Sequence, residues 1–199
     1  MKIYKYLLFI PIAFFYCKGD DIEKTPIECV IKEAITSQDS TFAINSPGKM
    51  KYGYANAIKL NKPWQASANA LFYKDTLYIN FNTYLDFPND PDLEYNTEYI
   101  SIQIANLQES CMKLSRMTSN NSCKMCYFDL EDDSINDSYY ILETDPNNYI
   151  QFDTLNIETG RVAGKFMVSF ERDKNKVKKP WNPDFVRFFN GEFHCWIKN

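Results

Sequence analysis

The sequence predicts a mainly β domain, an antiparallel β-sandwich or, as the other closure, a flattened barrel, with one short N-terminal helix. Two observations carry this. Segment after segment beyond residue 60 alternates apolar and polar side chains with a period of two. Hairpin-type turn residues separate these segments, and no alternating helices or internal repeats interrupt them, which argues against βαβ units.

The first strong pair follows Trp64. Ala66, Ala68, Ala70 and Phe72 share one phase, and Thr76 to Asn82 form the next run. A two-residue turn at Lys74-Asp75 places Phe72 opposite Leu77, Ala70 opposite Ile79 and Ala68 opposite Phe81, so that small side chains face large ones. Residues 84–97 read as a long loop. Ile100, Ile102 and Ile104 alternate with Ser101 and Gln103 as a half-buried strand. Ile150 and Phe152 share a phase that Leu155 and Ile157 do not, which requires a β-bulge near Asp153-Thr154. Gly164, Phe166, Val168 and Phe170 line one face of a further strand. Asn190-Gly191 then reads as a type I′ hairpin turn pairing Phe188 with Phe193 and Val186 with Cys195. Its other face carries Arg187 beside His194 and Phe185 beside Trp196.

The chain begins differently. Lys2 and Lys5 precede the apolar run Leu7 to Tyr16, too short to span a bilayer that needs about twenty helical residues. Residues 1–16 therefore read as a secretory signal peptide. Cys17 follows at once and is the expected lipidation site, becoming an acylated N-terminus held in the membrane. Residues 17–26 form a polar tether, with acidic Asp20-Asp21 resembling the signal that sends some lipoproteins to the outer face of the outer membrane; a periplasm-facing anchor is the other placement. Ile27, Val30, Ile31, Ala34 and Ile35 recur at helical spacing, so the short helix is placed over 27–36, opening a single domain at 27–199.

Hydrophobic residues make up 45% of the chain and aromatics 16%, enough for a packed core. Without Lys2 and Lys5 the chain keeps 20 basic against 26 acidic side chains, a net charge near −6 that repels phosphate backbones. Nucleic acid is therefore not the expected partner. The partners expected are the membrane, through the anchor, and a glycan or an envelope protein.

Three short segments resemble a known pattern. Asn61-Lys62-Pro63-Trp64-Gln65-Ala66-Ser67-Ala68 resembles "G-x-x-W-x-A-s-A", Val162-Ala163-Gly164-Lys165-Phe166 resembles "v-x-G-t-F", and Phe189-Asn190-Gly191-Glu192-Phe193 resembles "i-x-n-G-x-F". In this order they are similar to a family of small lipid-anchored β-sandwich proteins of unknown function from Gram-negative bacteria. The resemblance covers residues 52–199 and implies a fold and a cellular address; it supplies no catalytic residue. The chain departs from it in its cysteines and in the segment 84–97.

No catalytic set emerges, and no cofactor is expected. His194 is the only histidine, and its strand register puts it on an outer face. Cys29, Cys111, Cys123, Cys126 and Cys195 are candidate disulfide formers in an exported chain, with Cys111 to Cys123 or Cys126 the local pairing. Cys123-Lys124-Met125-Cys126 also has redox spacing, but strand-like residues follow it where a redox pair wants a helix. Asp86, Asp90 and Asp92 are weak calcium candidates without the EF-hand pattern. Asp-Ser/Thr followed by a methyl-bearing residue recurs at Ser40, Thr76, Ser134 and Thr154 and resembles an O-glycosylation sequon of exported proteins; Thr76 is favoured by its place at a hairpin tip. Trp181, Phe185, Arg187 and Trp196 form the candidate ligand-binding surface, since flat exposed aromatics stack on sugar rings.

The sequence thus points to an envelope lipoprotein with a non-enzymatic binding or structural role. A metal-dependent or carboxylate-based hydrolase, and a thiol-redox protein using Cys123 and Cys126, are the alternatives.

Overall fold

Period-two alternation becomes ten antiparallel strands in the computed structural model, which describes residues 50–87, 90–105, 107, 111–116, 121–128, 135–176 and 182–198. The signal segment, Cys17 and its tether, the helix expected over 27–36, Cys29, Ser40, Ser134 and Trp181 lie outside the described residues. The strands are β1 (Gly53–Lys59), β2 (Lys62–Tyr73), β3 (Thr76–Phe87), β4 (Asp90–Ile104), β5 (Cys111–Lys113), β6 (Asn121–Phe128), β7 (Ile135–Ile141), β8 (Tyr149–Asn156), β9 (Arg161–Arg172) and β10 (Phe185–Trp196).

Strand β10 pairs with β1 along one edge and with β9 along the other. Eight strands in the order β1-β2-β3-β4-β6-β7-β9-β10 therefore close into a barrel. This corrects the sandwich: two packed sheets keep free edges, whereas here the last strand fills the edge that the first leaves open. One stave is shared. On the same edge of β9, β7 pairs with Phe170–Arg172 and β8 with Arg161–Met167. Asn148 holds the step between them: its Nδ2 donates to the carbonyls of Leu142 (2.9 Å) and Asp145 (3.0 Å), while its Oδ1 accepts the Ser169 N–H at 2.7 Å. Beyond β8, β5 continues the wall, and a bridge from Ser115 to Ser122 returns it to β6.

The barrel has two ends. The upper rim carries the β1–β2, β3–β4, β6–β7 and β9–β10 connections; the lower rim carries the β2–β3 and β8–β9 turns, Met50 and the C-terminal tail. Between them, inward side chains fill the interior, as expected for eight strands. Trp64 packs edge-on to Phe188 at 4.9 Å, and Phe81 lies 5.0 Å from Phe166. Ala55, Ala57, Ala66, Ala68 and Ala70 make room for these rings, all buried.

Several expectations hold to the residue. Lys74 and Asp75 both take positive φ (48° and 60°), and Phe72 faces Leu77, Ala70 faces Ile79 and Ala68 faces Phe81. Ile100, Ile102 and Ile104 are fully buried. The β8–β9 register shifts between Phe152 and Thr154, the predicted bulge.

Others need correction. Asn190-Gly191 is no hairpin turn: β10 runs unbroken from Phe185 to Trp196. Asn190 does take positive φ (51°), but as a bulge that shifts the register against both β1 and β9. The bulge switches the inward phase from Val186 and Phe188 to Gly191, Phe193 and Cys195, so the predicted core face is buried although its topology differs. Residues 84–97 are not a loop either, because β3 continues to Phe87 and β4 restarts at Asp90, with register shifts along the hairpin.

Candidate functional site

The cysteines decide one reading directly. Along β6, Cys123 is buried with Met125 while Lys124 points out and Cys126 is part-exposed. Positions three apart on a strand face opposite sides and lie about 10 Å apart, beyond disulfide reach. Cys123, Cys126 and Cys195 are free thiols, so neither a dithiol redox pair nor the local pairing to Cys111 forms. Cys111 is disulfide-bonded, and its partner is not among the described residues. Burial pushes the Cys126 thiol up to about 11 and the Cys195 thiol up to about 12, and raises Cys123 as well. These thiols are inert packing groups rather than nucleophiles.

A pH dependence follows. The thiols ionise near 9.0 when unfolded and higher when folded, so their contribution to stability is present below pH 9 and lost as pH rises through the folded values. Iodoacetamide is expected to leave Cys123 and Cys195 unmodified in the native protein at pH 8, with Cys126 reacting slowly and faster as pH approaches about 11. Rapid double alkylation of Cys123 and Cys126 at pH 7 would overturn this.

Beneath the upper rim, the barrel interior holds charge. Glu98 is 1% exposed and accepts from Lys59 Nζ and, at 2.8 Å, from Trp64 Nε1–H. The Thr83 and Thr97 hydroxyls pair at 2.8 Å. Asp137, fully buried, accepts from Asn182 Nδ2 at 3.0 Å and lies 3.9 Å from Arg172. Tyr139 O–H donates to the Pro183 carbonyl at 2.8 Å, and burial followed by the Asp137 charge raises its pKa. Both buried carboxylates are held by partners, which fits closure of the barrel end better than acid–base work.

The outer wall offers a different chemistry. A cleft of about 280 Å³ near the lower rim is lined by Lys51, Tyr52, Tyr54, Arg161, His194 and Trp196, together with Met50 and backbone of β1, β9 and β10. Register builds it: Tyr54 sits opposite His194 on β1 and β10, and Trp196 sits opposite Arg161 on β10 and β9. The Tyr54 and His194 rings lie 5.2 Å apart, and Lys198 Nζ stands 4.6 Å from the Tyr52 ring centre. Gly53, at φ +145°, lets β1 start against β10, since a Cβ there would meet the His194 carbonyl at 2.1 Å. Among the described residues no carboxylate lines the cleft, and neither Lys51 nor Arg161 is ion-paired. In a second cleft of about 280 Å³, around Arg116, Tyr140, Glu171, Arg172 and Lys174, the cations are ion-paired: Glu171 meets Arg116 and Lys174, and Arg172 meets Asp137 and Asp184.

Of the surface expected from sequence, Trp196 belongs to the aromatic cleft. Phe185 does not: it stands at the other end of the same strand, about 35 Å away at the usual rise per residue. Arg187 lies near Phe185, opposite Ser169, so it is not beside His194. Asp86 falls on β3 and Asp90 and Asp92 on β4; their side chains lie outside the described part, and no cluster of three metal-ligating residues occurs among the described residues. Thr76 sits at the β2–β3 hairpin tip as expected, its Oγ1 donating to the Lys74 carbonyl at 3.4 Å, and Thr154 lies half-buried in the β8 bulge. Sequence reading missed Tyr52, Tyr54 and Arg161. The one signal was the alternation of Tyr54 and Asn56 with Ala55 and Ala57, which is faint because the buried face of β1 is built from alanines and a lysine. No protein family, no curated protein and no solved structure matches this chain.

Proposed function

We propose that this chain is a lipid-anchored bacterial envelope protein that binds a glycan, without catalysis, through the aromatic cleft at Tyr54, His194 and Trp196. The observation that carries the reading is the cleft itself: exposed rings flanked by cations, on a chain that is acidic overall. Ring faces stack on the apolar faces of sugars, and cations and the imidazole supply hydrogen bonds to hydroxyls or acidic substituents. The lipid anchor at Cys17, a place in the outer membrane facing either the surface or the periplasm, and likeness to small lipid-anchored Gram-negative proteins belong to the same reading. They rest on the leader, the cysteine after it and the three short motifs. O-glycosylation at Thr76 is compatible with its hairpin position. Of the acidic stretches on which the hydrolase alternative rests, the described side chain is that of Asp137, which Asn182 already engages.

Titrating the folded full chain against bacterial envelope saccharides and peptidoglycan fragments tests this. Trp196→Ala and Tyr54→Ala are each expected to weaken binding about fivefold to tenfold, the scale of one lost aromatic stack. Phe185→Ala, on the distant end of β10, is expected to change nothing. A folded protein that binds no saccharide, or variants that all bind alike, would sink the proposal.

A further inference from the structure

The exposed apolar side chains are not spread evenly. Of eight large ones among the described residues, Met50, Tyr54, Leu71, Tyr73, Ile157 and Trp196 lie at or near the lower rim, and only Ile135 and Phe185 lie at the upper. The lower rim is also continuous. Ile197 N donates to the Gly160 carbonyl of the β8–β9 turn, and Lys198 N donates to the Ala70 carbonyl of β2, both at 2.8 Å. The C-terminal tail thus joins Ile157 on one side to Leu71 and Tyr73 on the other. Tyr54 faces Ser67, so β2 runs on from Ala68 to Tyr73 past the start of β1, and the β2–β3 tip projects.

We infer that this lower rim rests on the membrane surface, with Leu71, Tyr73 and Ile157 entering the headgroup region and Lys74 and Lys198 meeting anionic lipid phosphates. Two features select a bilayer over a protein partner. The described barrel begins at Met50, on this rim, with 32 residues of chain between it and Cys17. Tyrosine and lysine beside aliphatic side chains also match an interface where rings sit at headgroup level and amines reach phosphates. Docking this way turns the upper rim outward and leaves the aromatic cleft opening sideways, above the bilayer. The inference rests on Cys17 being the acylated anchor, because the tether then holds the rim close to lipid and a weak contact suffices.

The test places the acylated full chain in vesicles of phosphatidylethanolamine and phosphatidylglycerol with brominated acyl chains. Bromine quenches tryptophan emission at short range, and the signal is the emission added relative to the parent protein. The added emission of Tyr73→Trp is expected to fall at least twofold against unbrominated vesicles, while that of Phe185→Trp stays unchanged. Ile157→Trp gives the same reading from the other side of the rim if Tyr73→Trp does not fold. Protein retained on the vesicles after an alkaline wash, with equal quenching at positions 73, 157 and 185, overturns the docking and leaves the anchor intact. Protein that washes off, with no acyl mass, overturns the anchor and the docking with it.

Discussion

Replacing Lys59 with methionine is expected to destabilise the barrel by about 3–5 kcal/mol, the scale for breaking a buried ion pair from one side. Lys59 and Glu98 come from β1 and β4, thirty-nine residues apart, and meet inside the barrel with side chains 9% and 1% exposed. Methionine fills the aliphatic volume of lysine, so packing is nearly preserved. What remains is a buried carboxylate with Trp64 Nε1–H as its donor. Denaturant unfolding of the folded full chain reads the loss, and the melting temperature should fall by on the order of 10 °C at this chain length. Adding Glu98→Gln to Lys59→Met removes the charge, keeps an acceptor for the indole N–H and is expected to recover at least about 2 kcal/mol. A single variant within about 1 kcal/mol of the parent would mean that water reaches Glu98 and that the upper end of the barrel is open.

The second large effect is expected at Gly164. It lies in β9 between Phe152 on β8 and Phe193 on β10, so the neighbouring strands flank it on both edges. A Cβ there would stand 2.0 Å from the Gln151 carbonyl oxygen, a backbone atom that cannot rotate away. Gly164→Ala is therefore expected to cost about 3 kcal/mol or more, at or above the upper part of the overpacking range, because relief requires separating β8 from β9. Gly160→Ala makes the comparison informative. Its Cβ meets nothing nearer than 3.7 Å, so only its positive φ of +73° is penalised, about 1–2 kcal/mol. A loss at Gly164 no larger than that at Gly160 would show that β8 and β9 part at little cost, and would overturn the contact argument.

Much of the wall was readable because hairpin physics is local. Lys74-Asp75 sets the β2–β3 register, and the alanine phase of β2 could face only the large phase of β3. The same logic failed at Asn190-Gly191. A positive φ at asparagine serves a type I′ turn and a bulge equally well, and the choice depends on whether the strand continues between two neighbours. The aromatic pairing failed with it. Phe185 and Trp196 share a face under the hairpin register and stand at opposite ends of the strand under the bulge. Among the cysteines, the strand read after Cys126 is there and points the two thiols of the pair to opposite sides, and Cys111 is disulfide-bonded; what failed is its local pairing, since Cys123 and Cys126 are both free. The cleft was half legible: Trp196 stood out as an aromatic on an outward phase, whereas Tyr54 and Arg161 joined it only once β1 and β9 flanked β10.

By itself the sequence determined the β class, the main hairpin, the bulge in β8 and which phase of most strands is buried, because each depends on neighbours within a few residues or across one turn. Only the tertiary structure decided closure into a barrel, the burial of Lys59 against Glu98, and the gathering of apolar side chains at the lower rim. Charged residues in a strand read as outward in any local pattern, and an edge reads as free until the strand that fills it arrives from the far end of the chain. Both are properties of long-range pairing, which no short window of sequence contains.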